Sequence, residues 1–288
     1  MTAHVQTKRE IQETLAAAGL HPRKRFGQHF LIDGNLMRRL VQSAELGPGD
    51  LVLEVGPGTG GLTDLLVGEA RHVVCVEIDH RLITLLEDRF RHAENLTLIT
   101  GDILQSKHRI LSEVEKAIRG FVASRDGSVK LVANLPYQAA TPLVMNLLVD
   151  FPQVRRLCFT VQAEVGERIT SKPNCKAYGP LSVLAQTTCT IEVIARIGPR
   201  CFWPAPAVDS IMLRMDVRDD SRIAHSELPA FAAFVRSVFE HRRKQLRTVL
   251  KNVLDGEIMS RLPVGFDDTR RPEQVSIDEW VTIFRALS

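Results

Sequence analysis

The sequence lacks the features of a membrane-spanning or a disulfide-bonded protein. None of the apolar runs in its 288 residues approaches the roughly 20 residues of a transmembrane helix. Its five cysteines form no C-x-x-C pair, and their odd number argues against a disulfide framework or a zinc site. The amino-terminal segment contains no signal-peptide core, and Glu10 and Glu13 argue against a transit peptide. We therefore expect a cytoplasmic protein without a metal or a membrane partner.

A strong excess of charge is also missing, since 37 basic and 34 acidic side chains leave a net charge of +3. Because that balance alone does not indicate a polyanion partner, the positions of the basic residues carry more information. Arg23, Lys24 and Arg25 form one cluster, which can follow a phosphate backbone or be a solvated linker. Residues 234–254 have the pattern of an amphipathic helix or helix pair, with six cations against one anion. This second excess favours a polyanion over a solvated helix face.

Residues 50–80 have the pattern of a nucleotide-binding element. A buried-type strand at residues 51–55 runs into a glycine-rich turn at residues 56–61 and then into a short helix. Glu77 ends the second strand, where its carboxylate can accept both hydroxyls of a ribose. Asp102 follows a third strand, where it is either an acceptor for an adenine amino group or an ordinary loop residue. The element predicts an adenosine-containing cofactor and leaves NAD and S-adenosylmethionine both open.

The tetrapeptide Asn134-Leu135-Pro136-Tyr137 follows an apolar run that predicts another strand. It therefore lies at the end of a strand, the usual place for chemistry in an open α/β sheet. The asparagine offers a carbonyl acceptor, the proline stiffens the loop and the tyrosine offers a flat face for stacking. Together these groups suit an exocyclic amino group on a planar ring, although asparagine and proline are also common in plain turns.

Strands and helices alternate along most of the chain, which predicts an α/β fold with a Rossmann-like, mainly parallel doubly wound sheet and an antiparallel pair at its end. Residues 107–122 have a mostly helical pattern. A charged stretch that begins at residue 218 indicates a linker. We therefore expect a cofactor-binding domain over residues 1–218, in which residues 1–35 form an N-terminal helix and a basic segment. A small C-terminal α-helical domain should follow over residues 219–288.

A series of motifs along nearly the whole chain resembles the KsgA/RsmA family of small-subunit ribosomal RNA adenine dimethyltransferases. The motifs that carry the match lie at residues 27–31, 54–60, 76–79, 101–102, 134–137, 176–179, 202–210 and 241–244. No single motif is decisive, but their order and spacing together are specific. The resemblance implies an S-adenosylmethionine-dependent methyltransferase domain followed by a helical RNA-binding domain. We expect the protein to be a monomer.

The resemblance also implies a reaction. Methyl groups pass from S-adenosylmethionine to N6 of two adjacent adenosines in the 3′-terminal hairpin loop of small-subunit (16S) rRNA, each of which is dimethylated. The substrate is the immature small ribosomal subunit, so the reaction is linked to subunit biogenesis. In this interpretation Asn134 and the Leu135 carbonyl accept the N6 hydrogens, and Pro136 keeps the loop stiff. Tyr137 stacks on one face of the adenine, and Phe202 covers the other.

The remaining assignments concern the cofactor and the RNA. The implied cofactor-binding residues are Gln28, His29, Leu31, Gly56, Gly58, Glu77, Ile78, Asp102, Ile103 and Asn134. The implied RNA-binding residues are Arg23, Lys24, Arg25, Arg242, Arg243, Lys244 and Arg247. The chain departs from the family pattern in three places: many relatives have Asn where this chain has His29, the segment 107–128 is long, and Trp203 has no assigned role.

Three alternatives stay open. A large-subunit rRNA adenine N6-methyltransferase of the antibiotic-resistance type shares the fold and chemistry but usually has Asn-Ile-Pro-Tyr at the catalytic loop, so Leu135 and the basic C-terminal helix favour the small-subunit enzyme. A ribosome-assembly factor for which methylation is secondary fits the same motifs. A nicotinamide-dependent oxidoreductase fits the glycine-rich turn alone and leaves the catalytic loop unexplained.

Overall fold

The computed structural model describes residues 5–124, 127–253, 261–263 and 265–286, without the side chains of residues 24, 123, 124, 252 and 253. Residue 254, the predicted end of the basic helical stretch, lies outside the described residues. The strands are β1 (Phe30–Leu31), β2 (Leu51–Val55), β3 (His72–Glu77), β4 (Leu96–Thr100), β5 (Leu104–Ser106), β6 (Arg109–Ile110), β7 (Val129–Asn134), β8 (Val154–Gln162), β9 (Cys189–Ile197), β10 (Phe202–Trp203) and β11 (Ser210–Val217). The helices are α1 (Lys8–Ala17), α2 (Gly34–Ala44), α3 (Thr63–Val67), α4 (His80–Arg89), α5 (Ser112–Ser124), α6 (Ala140–Asp150), α7 (Ala163–Thr170), α8 (Pro180–Thr188), α9 (Leu228–Glu240), α10 (Leu246–Val253) and α11 (Ile277–Arg285).

A seven-stranded sheet joins most of these strands, within the described residues, in the order β4-β3-β2-β7-β8-β11-β9. Strand β2 runs parallel to β3 and β7, and the pairs β3–β4 and β7–β8 are also parallel. Strand β11 runs antiparallel to β8. The structure therefore confirms the predicted Rossmann-like, mainly parallel sheet with an antiparallel strand near its end.

The chain enters this sheet near its middle. It runs outwards from β2 to β4 and then crosses to β7 on the other side of β2, so the winding reverses between β2 and β7. Open α/β sheets bind ligands at such a point, beyond the carboxyl ends of the strands. Strands β2 and β3 are buried along nearly their whole length, as parallel strands are when both faces of the sheet are covered.

The structure differs from the prediction of a mostly helical segment at residues 107–122. Strands β5 and β6 pair as an antiparallel hairpin, and α5 begins only at Ser112. Ile110 in β6 and Val114 and Ile118 in α5 are all buried. Because these three residues follow one another at a spacing of four, the apolar period of the helix continues back into the hairpin. The helical prediction is therefore wrong for the hairpin. The apolar spacing does not change where the hairpin ends and α5 begins, so it does not reveal that boundary.

The chain divides into two compact units. The first unit consists of residues 1–147, 153–166 and 192–216, and the second of residues 148–152, 167–191 and 217–288. The last change of unit falls beside the predicted linker, and the second unit also includes two earlier segments. The division into domains of residues 1–218 and 219–288 stays a prediction.

The second unit has an aromatic core. The rings of Phe234 and Phe239 pack against Trp280 with centroid distances of 6.0 and 5.4 Å. Phe231 meets Phe284 edge to face at 5.2 Å. Because these rings come from α9 and α11, the predicted basic stretch begins on a helix with a firmly packed apolar face.

Candidate active site

A cavity of about 410 Å³ lies in the first unit, beyond the carboxyl ends of β2, β3 and β7. Five segments supply most of its lining, namely residues 25–31, 54–59, 76–78, 101–103 and 134–139. These segments contain the glycine-rich turn, the acidic end of the second strand and the Asn-Leu-Pro-Tyr loop. The fold therefore brings together motifs that are far apart in the sequence.

The glycine-rich turn fits closely between two walls of the cavity. Gly56 and Gly58 have φ angles of +74° and +61°, which side-chain-bearing residues rarely adopt. A Cβ atom on Gly58 would lie 2.7 Å from Cε1 of Phe30, and one on Gly56 would lie 3.2 Å from Cγ of Pro136. Both positions therefore require glycine, and the bare backbone of the turn is what a ligand in the cavity meets.

Glu77 places a buried carboxyl group at the end of β3, where its side chain is 4% exposed. The backbone amide of Gly58 donates to its Oε2 at 3.3 Å, and the amide of Asp79 donates to its Oε1 at 3.0 Å. Burial raises the pKa of Glu77 above its ordinary value. The group lines the cavity and can accept hydrogen bonds from the hydroxyls of a ribose.

An apolar surface stands beside a second carboxylate on the same wall. The side chain of Ile78 is 41% exposed and lines the cavity together with the buried Ile103. Asp102 is exposed, and its Oδ1 accepts a hydrogen bond from the Leu104 amide at 2.9 Å. This combination suits a flat aromatic ring with an amino group at its edge.

Asn134 is the last residue of β7, and its carboxamide is held at both ends. Its Nδ2 donates to the His29 carbonyl at 2.9 Å, and its Oδ1 accepts a hydrogen bond from Oγ1 of Thr160. The backbone amide of Leu135 donates to the Thr160 carbonyl at 3.1 Å. A carboxamide oxygen has two lone pairs, so Oδ1 can accept a further hydrogen bond from a ligand.

Tyr137 is half-buried and stacks on the imidazole of His29, with the centroids 5.6 Å apart and an interplanar angle of 28°. Its hydroxyl lies 3.2 Å from Oγ of Ser210, and burial raises the pKa of Tyr137. Nδ1 of His29 lies 2.6 Å from the Pro204 carbonyl, which can only accept, so Nδ1 carries a proton. Because His29 covers one face of Tyr137, the opposite face is the one available for a flat ligand.

The structure does not bring Phe202 to the cavity. The side chain is 3% exposed and belongs to the hydrophobic core of the first unit. Phe202 pairs with Leu31 across the ladder of β1 and β10, and the next residue, Trp203, stacks on Phe30 at 6.2 Å. Successive side chains of a strand point to opposite sides, so Phe202 faces the core. The prediction that Phe202 covers the second face of the adenine is therefore corrected: its side chain belongs to the core. Trp203 packs against Phe30, which lines the cavity.

Gln28 also lines the cavity, as predicted for a cofactor-binding residue. Its Oε1 accepts a hydrogen bond from the Arg23 amide at 2.7 Å. Its Nε2 is buried and has no hydrogen-bond partner among the described residues. A buried donor without a partner is costly, so this group is suited to donate to a ligand. His29 and Leu31 line the same wall.

Glu54 is a cavity residue that sequence reasoning did not select. It is 2% exposed in an otherwise apolar strand, and burial raises its pKa to about 7. Its Oε2 accepts hydrogen bonds from Thr63 Oγ1 at 2.7 Å and from Cys75 Sγ at 3.2 Å. A single acidic residue within a fully buried strand was the available signal, because such residues are rarely buried without a specific partner.

The amino-terminal basic residues have different surroundings. The guanidinium of Arg25 lies 4.5 Å from the ring centroid of Phe26, and both residues line the cavity. Arg23 lies 3.9 Å from Oδ2 of Asp79, which makes it partly a structural ion pair. The side chain of Lys24 lies outside the described residues.

Three of the six basic residues in the stretch 234–254 lie in the turn between α9 and α10, and the other three lie on the two helices. The helix-pair form of the prediction is therefore the correct one. The guanidinium of Arg242 is engaged by neighbouring residues, although its side chain is 33% exposed. Its Nε donates to Glu273 at 2.5 Å, and its Nη2 donates to the Lys176 carbonyl at 2.7 Å. Arg243, Lys244 and Arg247 are exposed.

None of the helices described is long and apolar enough to cross a membrane. No group of three or more His, Cys, Asp or Glu side chains in the same part of the chain is arranged to hold a metal ion.

Comparisons with known proteins agree with this geometry. The family model described as "Ribosomal RNA adenine dimethylase" matches residues 19–288. The chain is 38% identical over 260 residues to a "Ribosomal RNA small subunit methyltransferase A" from Clostridium botulinum (strain Loch Maree / Type A3), which covers 89% of this chain and 90% of the relative.

Two solved structures are similar in fold. A dimethyladenosine transferase from Plasmodium falciparum has a TM-score of 0.70 at 21% identity, with 88% of this chain and 96% of that chain covered. The 23S rRNA methyltransferase ErmE has a TM-score of 0.66 at 23% identity, with 90% and 99% covered. At these identities the two structures establish the fold alone.

Proposed function

Because the chain belongs to the ribosomal RNA adenine dimethylase family, we propose that it dimethylates N6 of two adjacent adenosines in the 3′-terminal hairpin loop of small-subunit rRNA. The family assignment confirms the resemblance seen in the sequence, the enzyme class and S-adenosylmethionine as the cofactor. It also sets aside the nicotinamide-dependent alternative. The observation that carries the finer proposal is the position of Asn134, which lines the same cavity as the glycine-rich turn and Glu77.

The cavity fits the cofactor. Glu77 can accept the ribose hydroxyls, while Ile78 and Ile103 offer apolar contact to the adenine and Asp102 can accept from its amino group. Gln28 supplies a donor that has no partner among the described residues, and the turn at Gly56 and Gly58 lets the ligand approach the backbone closely. His29 and Leu31 complete the same wall. When bound, S-adenosylmethionine supplies a methyl group that is already activated by its sulfonium, so the proposal includes no metal.

The Asn134 loop then prepares the target nitrogen. The N6 lone pair of adenine is delocalised into the ring and attacks poorly. Acceptance of the N6 hydrogens by Asn134 Oδ1 and the Leu135 carbonyl turns the amino group and restores lone-pair density at N6. The bound cofactor would supply the methyl group to N6, with the sulfur keeping the electron pair of the broken carbon–sulfur bond, and N6 would then lose a proton to water. Correct placement of reacting groups is worth up to about 7–11 kcal/mol in well-oriented cases.

Tyr137 holds the adenine ring in this proposal. The ring of His29 supports one face of Tyr137, so the other face can stack on the base without having to be ordered first. Stacking of a base on an aromatic side chain contributes about 1–3 kcal/mol. Pro136 limits the movement of the loop that joins the stacking residue to the acceptors.

The RNA backbone is the proposed partner of the exposed basic residues. Arg25 lies at the cavity, and Arg243, Lys244 and Arg247 lie on the second unit. We assign RNA binding to the helical region of residues 219–288 and expect a cytoplasmic monomer that acts on an immature small subunit. Each cation that contacts a phosphate releases a counterion, which makes binding dependent on salt.

The decisive experiment combines purified protein, radiolabelled S-adenosylmethionine and small subunits that lack the modification. Label should appear as dimethyladenosine at two adjacent positions of the 3′-terminal hairpin loop. Large-subunit RNA in a parallel reaction serves as the control. Label confined to large-subunit RNA would support the antibiotic-resistance type of enzyme and contradict the proposal.

The assembly-factor alternative needs a variant whose methyl transfer is strongly reduced and whose remaining methylation is measured. An Asn134→Ala protein that still binds small subunits can be tested for its ability to restore growth in cells that lack the enzyme. Full restoration without any methylation would mean that assembly, and not chemistry, is the main function.

A further inference from the structure

Thr160 lies directly behind the candidate catalytic asparagine. The two residues are partners in the ladder of β7 and β8, and Thr160 is completely buried. Its hydroxyl donates to Asn134 Oδ1, while its carbonyl accepts the Leu135 amide. One residue therefore contacts both the side chain and the backbone at the start of the loop.

We propose that Thr160 is a positioning residue, which fixes the Asn134 carboxamide so that one lone pair of Oδ1 stays directed to the target amino group. The inference rests on the proposed catalytic role of Asn134. The two ends of a carboxamide are alike in shape and differ in hydrogen bonding, so their orientation must be set by their neighbours.

The hydrogen bonds to His29 and Thr160 together allow only one orientation of the Asn134 carboxamide. The His29 carbonyl can only accept, and it therefore selects the Nδ2 end of the carboxamide. The Thr160 hydroxyl then donates to Oδ1 at the other end. It occupies one lone pair of that oxygen and leaves the second lone pair for a hydrogen of N6.

The surroundings of Thr160 make this contact rigid. A β-branched side chain has a restricted χ1 angle, and burial leaves its hydroxyl no access to water. Catalytic groups act best when their rotamers are held by packing and by supporting hydrogen bonds. Valine would fill nearly the same volume, so the hydroxyl itself is what distinguishes threonine at this place.

The test compares Thr160→Val, Thr160→Ser and Thr160→Cys in the full chain, with small subunits and labelled S-adenosylmethionine. We expect Thr160→Val to lower kcat about tenfold, as the loss of one hydrogen bond predicts, with little change in KM for the subunit or in cofactor affinity. Thr160→Ser keeps the hydroxyl and should retain most activity. Thr160→Cys should fall between the two, because a thiol is a weak donor.

The serine and cysteine variants keep the test informative if the valine variant does not fold. Circular dichroism and melting curves identify the variants that are folded. A serine variant as impaired as the valine or cysteine variant would overturn the inference, since the hydroxyl would then not be the important group.

A double-mutant cycle separates this inference from the proposed function. If Thr160 acts through Asn134, adding Thr160→Val to Asn134→Ala should cause little further loss of kcat. An equal loss in both backgrounds would overturn the inference. Impaired Asn134→Ala with normal Thr160→Val would also overturn it and leave the proposed function intact, whereas normal turnover by Asn134→Ala would refute the catalytic role of Asn134 on which the inference rests.

Discussion

Replacing Gly58 with alanine should weaken cofactor binding by more than backbone strain alone explains. The new Cβ atom would lie 2.7 Å from Cε1 of Phe30, whereas ordinary contacts begin near 3.4 Å. The Phe30 ring would have to move by about 0.7 Å, the difference between these two distances. Because this ring lines the cavity and stacks on Trp203, the movement changes the cavity wall and disturbs the stack.

The size of the effect follows from two separate contributions. An alanine in the left-handed region lowers the free energy of unfolding by roughly 1–2 kcal/mol, because its Cβ approaches the following carbonyl. Disturbance of the Phe30–Trp203 stack adds up to about 0.5–1.5 kcal/mol. Because only the second contribution acts at the cavity wall, we expect the Kd for S-adenosylmethionine to rise by up to about tenfold, equivalent to 1.4 kcal/mol.

Gly19 provides a matched control within the same chain. Its φ angle of +64° is close to the +61° of Gly58, but a Cβ atom there would meet nothing within 4 Å. Gly19→Ala therefore carries the strain without the clash. Calorimetric titration with S-adenosylmethionine and urea unfolding of both variants separate the two contributions.

Gly19→Ala should lose stability and keep the cofactor affinity of the wild type, whereas Gly58→Ala should lose both. Equal unfolding midpoints for the two variants, together with wild-type cofactor affinity in Gly58→Ala, would refute the argument from the cavity wall.

Three further predictions concern the loop, the basic turn and a buried acid. Asn134→Ala should lower turnover at least about tenfold, near 1.4 kcal/mol, with cofactor affinity unchanged in calorimetry; near-normal turnover would contradict the role of this side chain. Replacement of Arg243 and Lys244 by Gln should weaken RNA binding and reduce the slope of log K against log salt by about 2, one for each lost phosphate contact. An unchanged slope in filter binding would exclude this turn as an RNA surface. The folded-state pKa of Glu54, about 7, lies above the ordinary value of 4.5, so its stabilising effect is present below pH 4.5 and is lost as pH rises through 7. Glu54→Gln should therefore lose less stability than the wild type between pH 5 and pH 8 in urea unfolding, and parallel pH curves would contradict the assignment.

The elements around the cofactor cavity could be predicted because local pattern and burial agree there. Strand β2 has the predicted bounds, since a short apolar run followed by glycines has few other interpretations. Glu77 could be placed at the end of the next strand for the same reason. Both assignments depend on neighbouring residues only. Because the strands are parallel, their carboxyl ends lie at the same edge of the sheet, and residues that follow them lie close together.

The sequence is less informative where a side chain depends on a distant partner. Arg242, Arg243 and Lys244 are neighbouring cations of similar character, and only the fold places Glu273 beside the first of them. Thr160 is an unremarked strand residue until its pairing with Asn134 is known. In both cases the deciding contact joins residues that are more than twenty positions apart.

The direction of the Phe202 side chain could not be predicted from the sequence for a different reason. Whether an aromatic side chain in a two-residue strand faces the core or a ligand depends on the register of one ladder, and a shift by one residue would exchange Phe202 and Trp203. Neither alternation nor composition fixes that register in so short an element.

The hydrogen bonds of Arg242 have a consequence for how long the turn between α9 and α10 can hold a partner. Its guanidinium ties the turn to Glu273 and to the carbonyl of Lys176, so the backbone that carries Arg243 and Lys244 is already ordered before any encounter. A flexible loop loses conformational freedom when it binds, whereas a loop held in its bound shape avoids most of that entropy loss. Arg242 thus holds the turn in place. Loss of its contacts with Glu273 and Lys176 should shorten the residence time of the complex, even though Arg243 and Lys244 stay exposed.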